Sequence, residues 1–148
     1  DFSDVKSRHE RYQGFVDALA KNGIPLQEQT ILYWQRETGF QQSPQSILQA
    51  DNAATVFFTQ HLAITTELLT QLNQAHISIP EDISLLGFDD LPMAEFFKVP
   101  ITVVKQDPHK IGMAAAKLLL ENIDGKAPAF QRVMIPCALV IRESCNKM

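Results

Sequence analysis

The stretch IPEDISLLGFDDLPMAEFF, residues 79–97, decides the fold. At its centre, ISLLGF (83–88) is short and apolar without strict alternation, entered after the Pro80 break and left through Asp89-Asp90. Such a run, closed by turn residues, is the pattern of a strand covered on both faces. Immediately upstream, ATVFF (54–58) repeats the pattern. Ile64, Leu68, Leu69, Leu72 and Ala75 then fall at helical spacing until His76–Pro80 breaks the run. Downstream, TVVK (102–105) is another short strand. Asp107 and Pro108 supply an N-cap and first helical residue for a helix that reaches Ile123, closes at Asp124-Gly125 and presents Ile111, Ala115, Leu118 and Leu119 to a core.

Further out the units repeat. From a cap at Ser3 or Asp4, Tyr12, Phe15, Val16, Leu19 and Ala20 mark an amphipathic helix ending at Asn22-Gly23. QTILYW (29–34) is read as a strand, and Thr38–Leu48 as a helix kinked or restarted by Ser43-Pro44. Two brief strands, 131–135 and 139–142, flank Pro136. Strands alternating with helices predict an α/β, doubly wound parallel sheet with helices on both faces.

Composition narrows the function classes. The 148 residues are 45% hydrophobic and 20% charged, ordinary for a soluble domain, and the formal charge is −4. Lys and Arg are scattered and form no stripe for nucleic acid. No run is long enough to cross a membrane, and the opening DFSDVKSRHERY is too polar for a signal peptide. Cys137 and Cys145 stand apart from zinc-spaced histidines, so reduced thiols are expected, with no metal and no cofactor. No nucleophile elbow, phosphate-binding glycine loop or HExxH motif is present. Asp89-Asp90 with Lys105 suggests a phospho-receiver, but the segment between them has no room for the phosphoacceptor strand and its helices. The chain is not expected to be an enzyme.

Four segments in order carry a resemblance: RYQGFVDAL, IPEDISLLGFDDLPMAEFF, VPITVVKQDPHKIGMAAAKLLL and LVIRES. Together they resemble the C-terminal part of LacI/GalR-family bacterial repressors, over nearly the whole chain. The resemblance implies a type I periplasmic-binding-protein-like fold, two α/β lobes with a small ligand in the cleft. It assigns 1–106 and 137–148 to the C-terminal lobe and 107–136 to a crossover into the N-terminal lobe. Family members carry an apolar strand before the first helix, so the sheet is expected to be incomplete as given, and a complementary chain, a swap or misfolding is expected to follow.

The same resemblance implies the site. Ser7 and Arg11, four apart near the start of one helix, match ligand-contact positions, and a guanidinium can fork two hydrogen bonds to hydroxyls or a carboxylate. Trp34 matches an aromatic that covers a sugar ring. Asp89, at the carboxyl edge of the sheet, is expected to accept ligand hydroxyls, with Asp90 capping the next turn. Gln106 matches a position reaching the ligand or hinge. At Thr59-Gln60 this chain departs from the family's Asn-Asp and loses a strong acceptor, which favours a less hydroxyl-rich ligand, an anionic ligand or weak sensing. Thr59 is still expected in the site, and His61 is expected as a helix-start surface residue. Ile64 and Phe97 match the dimer face; since adjacent Phe96 and Phe97 cannot share a helix face, one is expected to seek a partner.

The implied function is effector sensing and homodimerisation in a cytoplasmic repressor whose DNA contact lies in a domain absent from this chain. A sugar or sugar phosphate leads among effectors; a nucleobase and a phosphoprotein co-repressor stay open, as does induction against co-repression. The rival is a secreted sugar-binding component of a transporter with the same fold.

Overall fold

The computed structural model describes residues 5–49, 53–125, 128 and 130–146. Helix α1 spans Lys6–Lys21, and after a 3-10 turn over Glu28–Thr30 a two-residue hairpin pairs β1 (Trp34–Gln35) with β2 (Gly39–Phe40). Then come α2 (Gln45–Leu48), β3 (Val56–Thr59), α3 (Leu62–Gln74), β4 (Ser84–Phe88), a 3-10 turn over Ala94–Phe96, β5 (Thr102–Lys105), α4 (Pro108–Ile123) and β6 (Ala138–Val140).

The main sheet has the order β3-β4-β5-β6. Its first three strands run parallel, with Phe57 opposite Leu85 and Gly87 opposite Val103, while β6 runs antiparallel to β5. Because side chains alternate along a strand, Phe57, Thr59, Leu85, Gly87 and Val103 point to one face and Phe58 and Phe88 to the other. Helix α3 covers the first face through buried Thr65, Leu68 and Leu72. The core on that side adds Ile47, Ile83, Leu91, Ala94 and Ile101. Helix α1 lies on the second face, where Phe15 stacks on Phe58 with ring centroids 5.0 Å apart. Helices on both faces of parallel strands make the chain the doubly wound α/β fold that the sequence predicts.

Close packing of α3 depends on Gly87. A Cβ there would lie 3.3 Å from Val103 Cγ1 and within 3.6 Å of the Thr65 and Thr59 hydroxyls, which bond each other at 2.7 Å. Near the start of β5, the LVIRES segment straps the sheet. The Thr102 amide donates to Ser144 Oγ at 2.8 Å, and the same hydroxyl donates to the Leu85 carbonyl, joining β5 to β4.

Several expectations need correction. Residues 29–34 do not form the predicted strand: the 3-10 turn takes 28–30, and β1 contains only Trp34–Gln35. A strand needs a neighbour, and across from Ile31 and Leu32 lies a cavity of about 700 Å³, walled by α1, residues 24–37 and the far side of β3. Among the described residues that outer edge of β3 has no strand partner. The predicted helix 38–48 shrinks to Gln45–Leu48, because Gly39 takes a left-handed φ of 73° in the hairpin and Pro44 resets the chain. Residues 131–135 form no strand, and the last strand turns antiparallel. The strand read at 54–58 sits at 56–59. Helix α1 enters through Val5, and the proposed caps Ser3 and Asp4 lie outside the described residues.

Candidate ligand wall at the carboxyl ends of the strands

Parallel strands bring their carboxyl ends to one edge of the sheet, where ligands of such folds collect. Arg11 arrives there from α1. Its guanidinium lies 3.7 Å from the centroid of the Phe88 ring, Nη1 donates to the Gln60 carbonyl at 2.7 Å, and Asp89 Oδ2 stands 3.9 Å from the same nitrogen. The side chain is 16% exposed, so it is a positioned cation, with donors to spare, held by a ring and two acceptors.

Asp89 leaves β4 with a left-handed φ of 70°, a conformation non-glycine residues avoid, and its amide donates to the Val104 carbonyl at 3.0 Å. Backbone strain of this kind gathers at functional positions. Gln106, one residue past β5, donates Nε2 to Asp89 Oδ1 at 2.7 Å. Arg11, Asp89 and Gln106 therefore form one row contributed by α1, β4 and the end of β5, joined by the Gln106–Asp89 hydrogen bond and the longer Arg11–Asp89 ion pair. The Asp89 side chain stays 34% exposed.

Asp90 does something else. Instead of capping a turn, it takes a two-pronged grip from Arg142, with Nη1 to Oδ1 at 2.7 Å and Nη2 to Oδ2 at 3.0 Å, and a further contact from Lys105 at 2.9 Å. The Arg142 hydrogen bonds hold its carboxyl down to about 2, against the opposing effect of burial, with Lys105 adding to the pull. Arg142 also donates to the Ile101 carbonyl at 2.9 Å. The arginine of LVIRES was legible in the sequence; its partner was not, because 52 residues separate them.

The β3 end departs from expectation. Thr59 is only 3% exposed and its hydroxyl is engaged by Thr65, so that oxygen faces the α3 packing instead of the open edge. Its neighbour His61 is not the expected surface residue. It sits at the N-cap of α3 half-buried, with Nε2 buried and without a hydrogen-bonding partner among the described residues. Trp34 meets it edge-on, ring centroids 5.5 Å apart. Burial holds the imidazole below its ordinary pKa of 6.5, and Arg8 and then Arg11 push the same way against Asp89. Trp34, Thr59, Gln60 and His61 line the cavity together with Arg8 and Tyr12. Ser7 is exposed and outside this lining. Of the expected contacts, three stand together in one row, two border the cavity, and Ser7 stands apart. Sequence reading passed over Arg8; its place three residues before Arg11, one helical turn away, was the available signal.

Of the expected dimer residues, Ile64 is half-buried on the cavity wall, and Phe97 is 40% exposed just beyond the 3-10 turn, beside Phe96 at 76%. Among the described residues no group of three His, Cys, Asp or Glu side chains could hold a metal, and no helix is long and apolar enough to cross a membrane. Cys137 and Cys145 are free thiols.

Residues 1–145 match the family model of the periplasmic binding protein-like domain. The chain is 34% identical over 125 residues to a probable HTH-type transcriptional regulator, EndR, of Paenibacillus polymyxa, covering 82% of this chain and 36% of that one. It is 30% identical over 142 residues to the HTH-type transcriptional repressor CytR of Escherichia coli K12, covering 95% and 41%. Among solved structures, a LacI family transcriptional regulator of Enterococcus faecium with bound ribose superposes with a TM-score of 0.76 at 30% identity, over 93% of this chain and 51% of that one. The chain belongs to the LacI family. This LacI-family chain spans well under half the length of the two curated relatives and about half of the solved one.

Proposed function

We propose that this LacI-family chain is the effector-sensing and dimerisation region of a cytoplasmic transcriptional repressor, not an enzyme, binding a sugar or sugar phosphate between two lobes. The observation that carries the reading is the Arg11–Asp89–Gln106 row: a positioned fork of donors and a strained, partly exposed carboxylate at the carboxyl edge of parallel strands. Ligand hydroxyls need donors and acceptors side by side, and this row offers both. The relatives named as transcriptional regulators and the neighbour solved with ribose support the same reading.

The same reading divides the lobes as the resemblance implies, with 1–106 and 137–148 in one and 107–136 crossing to the other. In support, α4 has no buried residue and leaves Leu119, Leu120 and Ile123 exposed, so its apolar face awaits other packing. Phe97 and Ile64 belong to a twofold interface. Operator contact belongs to a separate helix-turn-helix segment, in keeping with the charge of −4 here. The effector changes operator affinity only through its unequal affinity for two lobe arrangements.

The test is an operator-binding assay on the intact protein with a sugar panel. A responding sugar shifts operator affinity in the wild type, and Asp89→Ala binds operator normally without responding. Failure of the intact protein to bind any DNA, with tight sugar binding retained, favours the transporter component.

A further inference from the structure

Around the β3 end of the cavity arginines outnumber carboxylates, even with the exposed Glu37 counted in the lining. Three arginines, Arg8, Arg11 and Arg36, act on His61, with Asp89 the opposing carboxylate. Asp89 is already shared by Arg11 and Gln106, and Asp90 is taken up by Arg142 and Lys105. Arg8 and Arg36 both line the cavity, and among the described residues neither guanidinium has a hydrogen-bonding or ion-pair partner. Arg8 is half-buried, whereas Arg36 is exposed at the rim. A partly desolvated guanidinium facing a cavity gains most from an anion that accepts its paired N–H groups.

The neighbouring chemistry points the same way. The turn after β3 itself holds no carboxylate: Gln60 and His61 follow Thr59, whose hydroxyl is turned to Thr65. The imidazole is held toward its neutral form, which keeps a fourth positive charge from joining Arg8, Arg11 and Arg36. His61 Nε2 is a buried polar atom without a partner among the described residues, at a cost that an incoming acceptor could offset. Trp34 packs against His61 and supplies a flat apolar surface for the uncharged part of a ligand.

We propose that Arg8 and Arg36, beside His61, bind the anionic group of the effector, making the ligand a negatively charged sugar, either a phosphate ester or a sugar acid. Arg8 is the specificity residue: it separates the charged ligand from its neutral parent, while Arg11, Asp89 and Gln106 hold the hydroxyls common to both. The inference rests on the proposed ligand wall and narrows the class of ligand bound there.

The experiment titrates the intact protein at constant ionic strength with ribose, ribose 5-phosphate, glucose, glucose 6-phosphate, glucuronate and inorganic phosphate. Binding is read by calorimetry and by tryptophan fluorescence, with a Trp34→Phe variant isolating the signal of Trp34, the single tryptophan of this chain. A charged sugar should bind at least about tenfold tighter than its neutral parent, the scale of one charge-assisted hydrogen bond. Arg8→Ala should bring the ratio of charged to neutral sugar affinity down toward one, while Arg8→Lys restores part of it; glucose 6-phosphate against glucuronate separates phosphate ester from sugar acid. Phosphate competing with the charged sugar in the wild type and not in Arg8→Ala supports the assignment. A neutral sugar binding as tightly as its charged partner overturns the inference and leaves the ligand wall standing. No sugar binding, with phosphate equally silent, overturns both.

Discussion

At the residue scale, two neighbouring aspartates have opposite roles, and their bonding separates them. Asp89 is strained, partly exposed and shared by Arg11 and Gln106; Asp90 is locked by Arg142. Asp90→Asn or Arg142→Ala should therefore cost stability, about 1.5–3 kcal/mol for a charge-assisted pair of this kind, without touching the ligand wall. Since the folded carboxyl sits near 2 against an ordinary 3.8, its contribution is complete above 3.8 and is lost as pH falls toward 2. Denaturant melts across that window should show the loss in wild type and a flatter profile in Asp90→Asn; identical profiles would remove Asp90 from the account. Gly87→Ala should destabilise by roughly 1–3 kcal/mol, because Val103 is fully buried and cannot retreat from the new methyl. The resemblance named Arg11, Asp89 and Gln106, and the structure brings the three together, whereas the tie between Asp90 and Arg142 was not legible, since pairing across distant sequence leaves no local pattern.

Among the elements, those whose signals are local came through the sequence intact. Helix α4 begins and ends where Asp107-Pro108 and Asp124-Gly125 put it, and Asp107 Oδ1 accepts from the Lys110 amide at 3.0 Å as a cap should. Strand β5 matches at both ends. Residues 29–34 carry an equally good strand signal and fail, because a strand is defined by its partner and the space beside Ile31 and Leu32 is cavity. The reversed direction of β6 was hidden for a related reason: apolar runs give no direction. The outer edge of β3, without a strand partner among the described residues, has a measurable consequence in this chain. Amides of Val56–Thr59 that point away from β4 should exchange hydrogen far faster than those of β5, which is paired on both sides. Equal protection in β3 and β5 would mean that the edge is covered.

For the molecule as a whole, helices on both faces of a parallel sheet leave the strands' carboxyl edge free to hold a ligand, and Arg11, Asp89 and Gln106 gather at that edge. Phe96 and Phe97 stand out from the surface beyond β4, apolar area that a twofold partner would cover. Phe97→Glu should shift the intact protein toward monomer in sedimentation experiments at micromolar concentration, and an unchanged distribution would move the interface elsewhere. The central claim, that the Arg11–Asp89–Gln106 row is the wall of an effector site, is tested most directly by calorimetric titration of the intact protein and its Asp89→Ala variant with whichever sugar binds the wild type. The account predicts a loss of affinity of about a hundredfold or more, near the 2.7 kcal/mol of two lost hydrogen bonds to a charged group, with secondary structure unchanged. Equal affinity in the two proteins would contradict it.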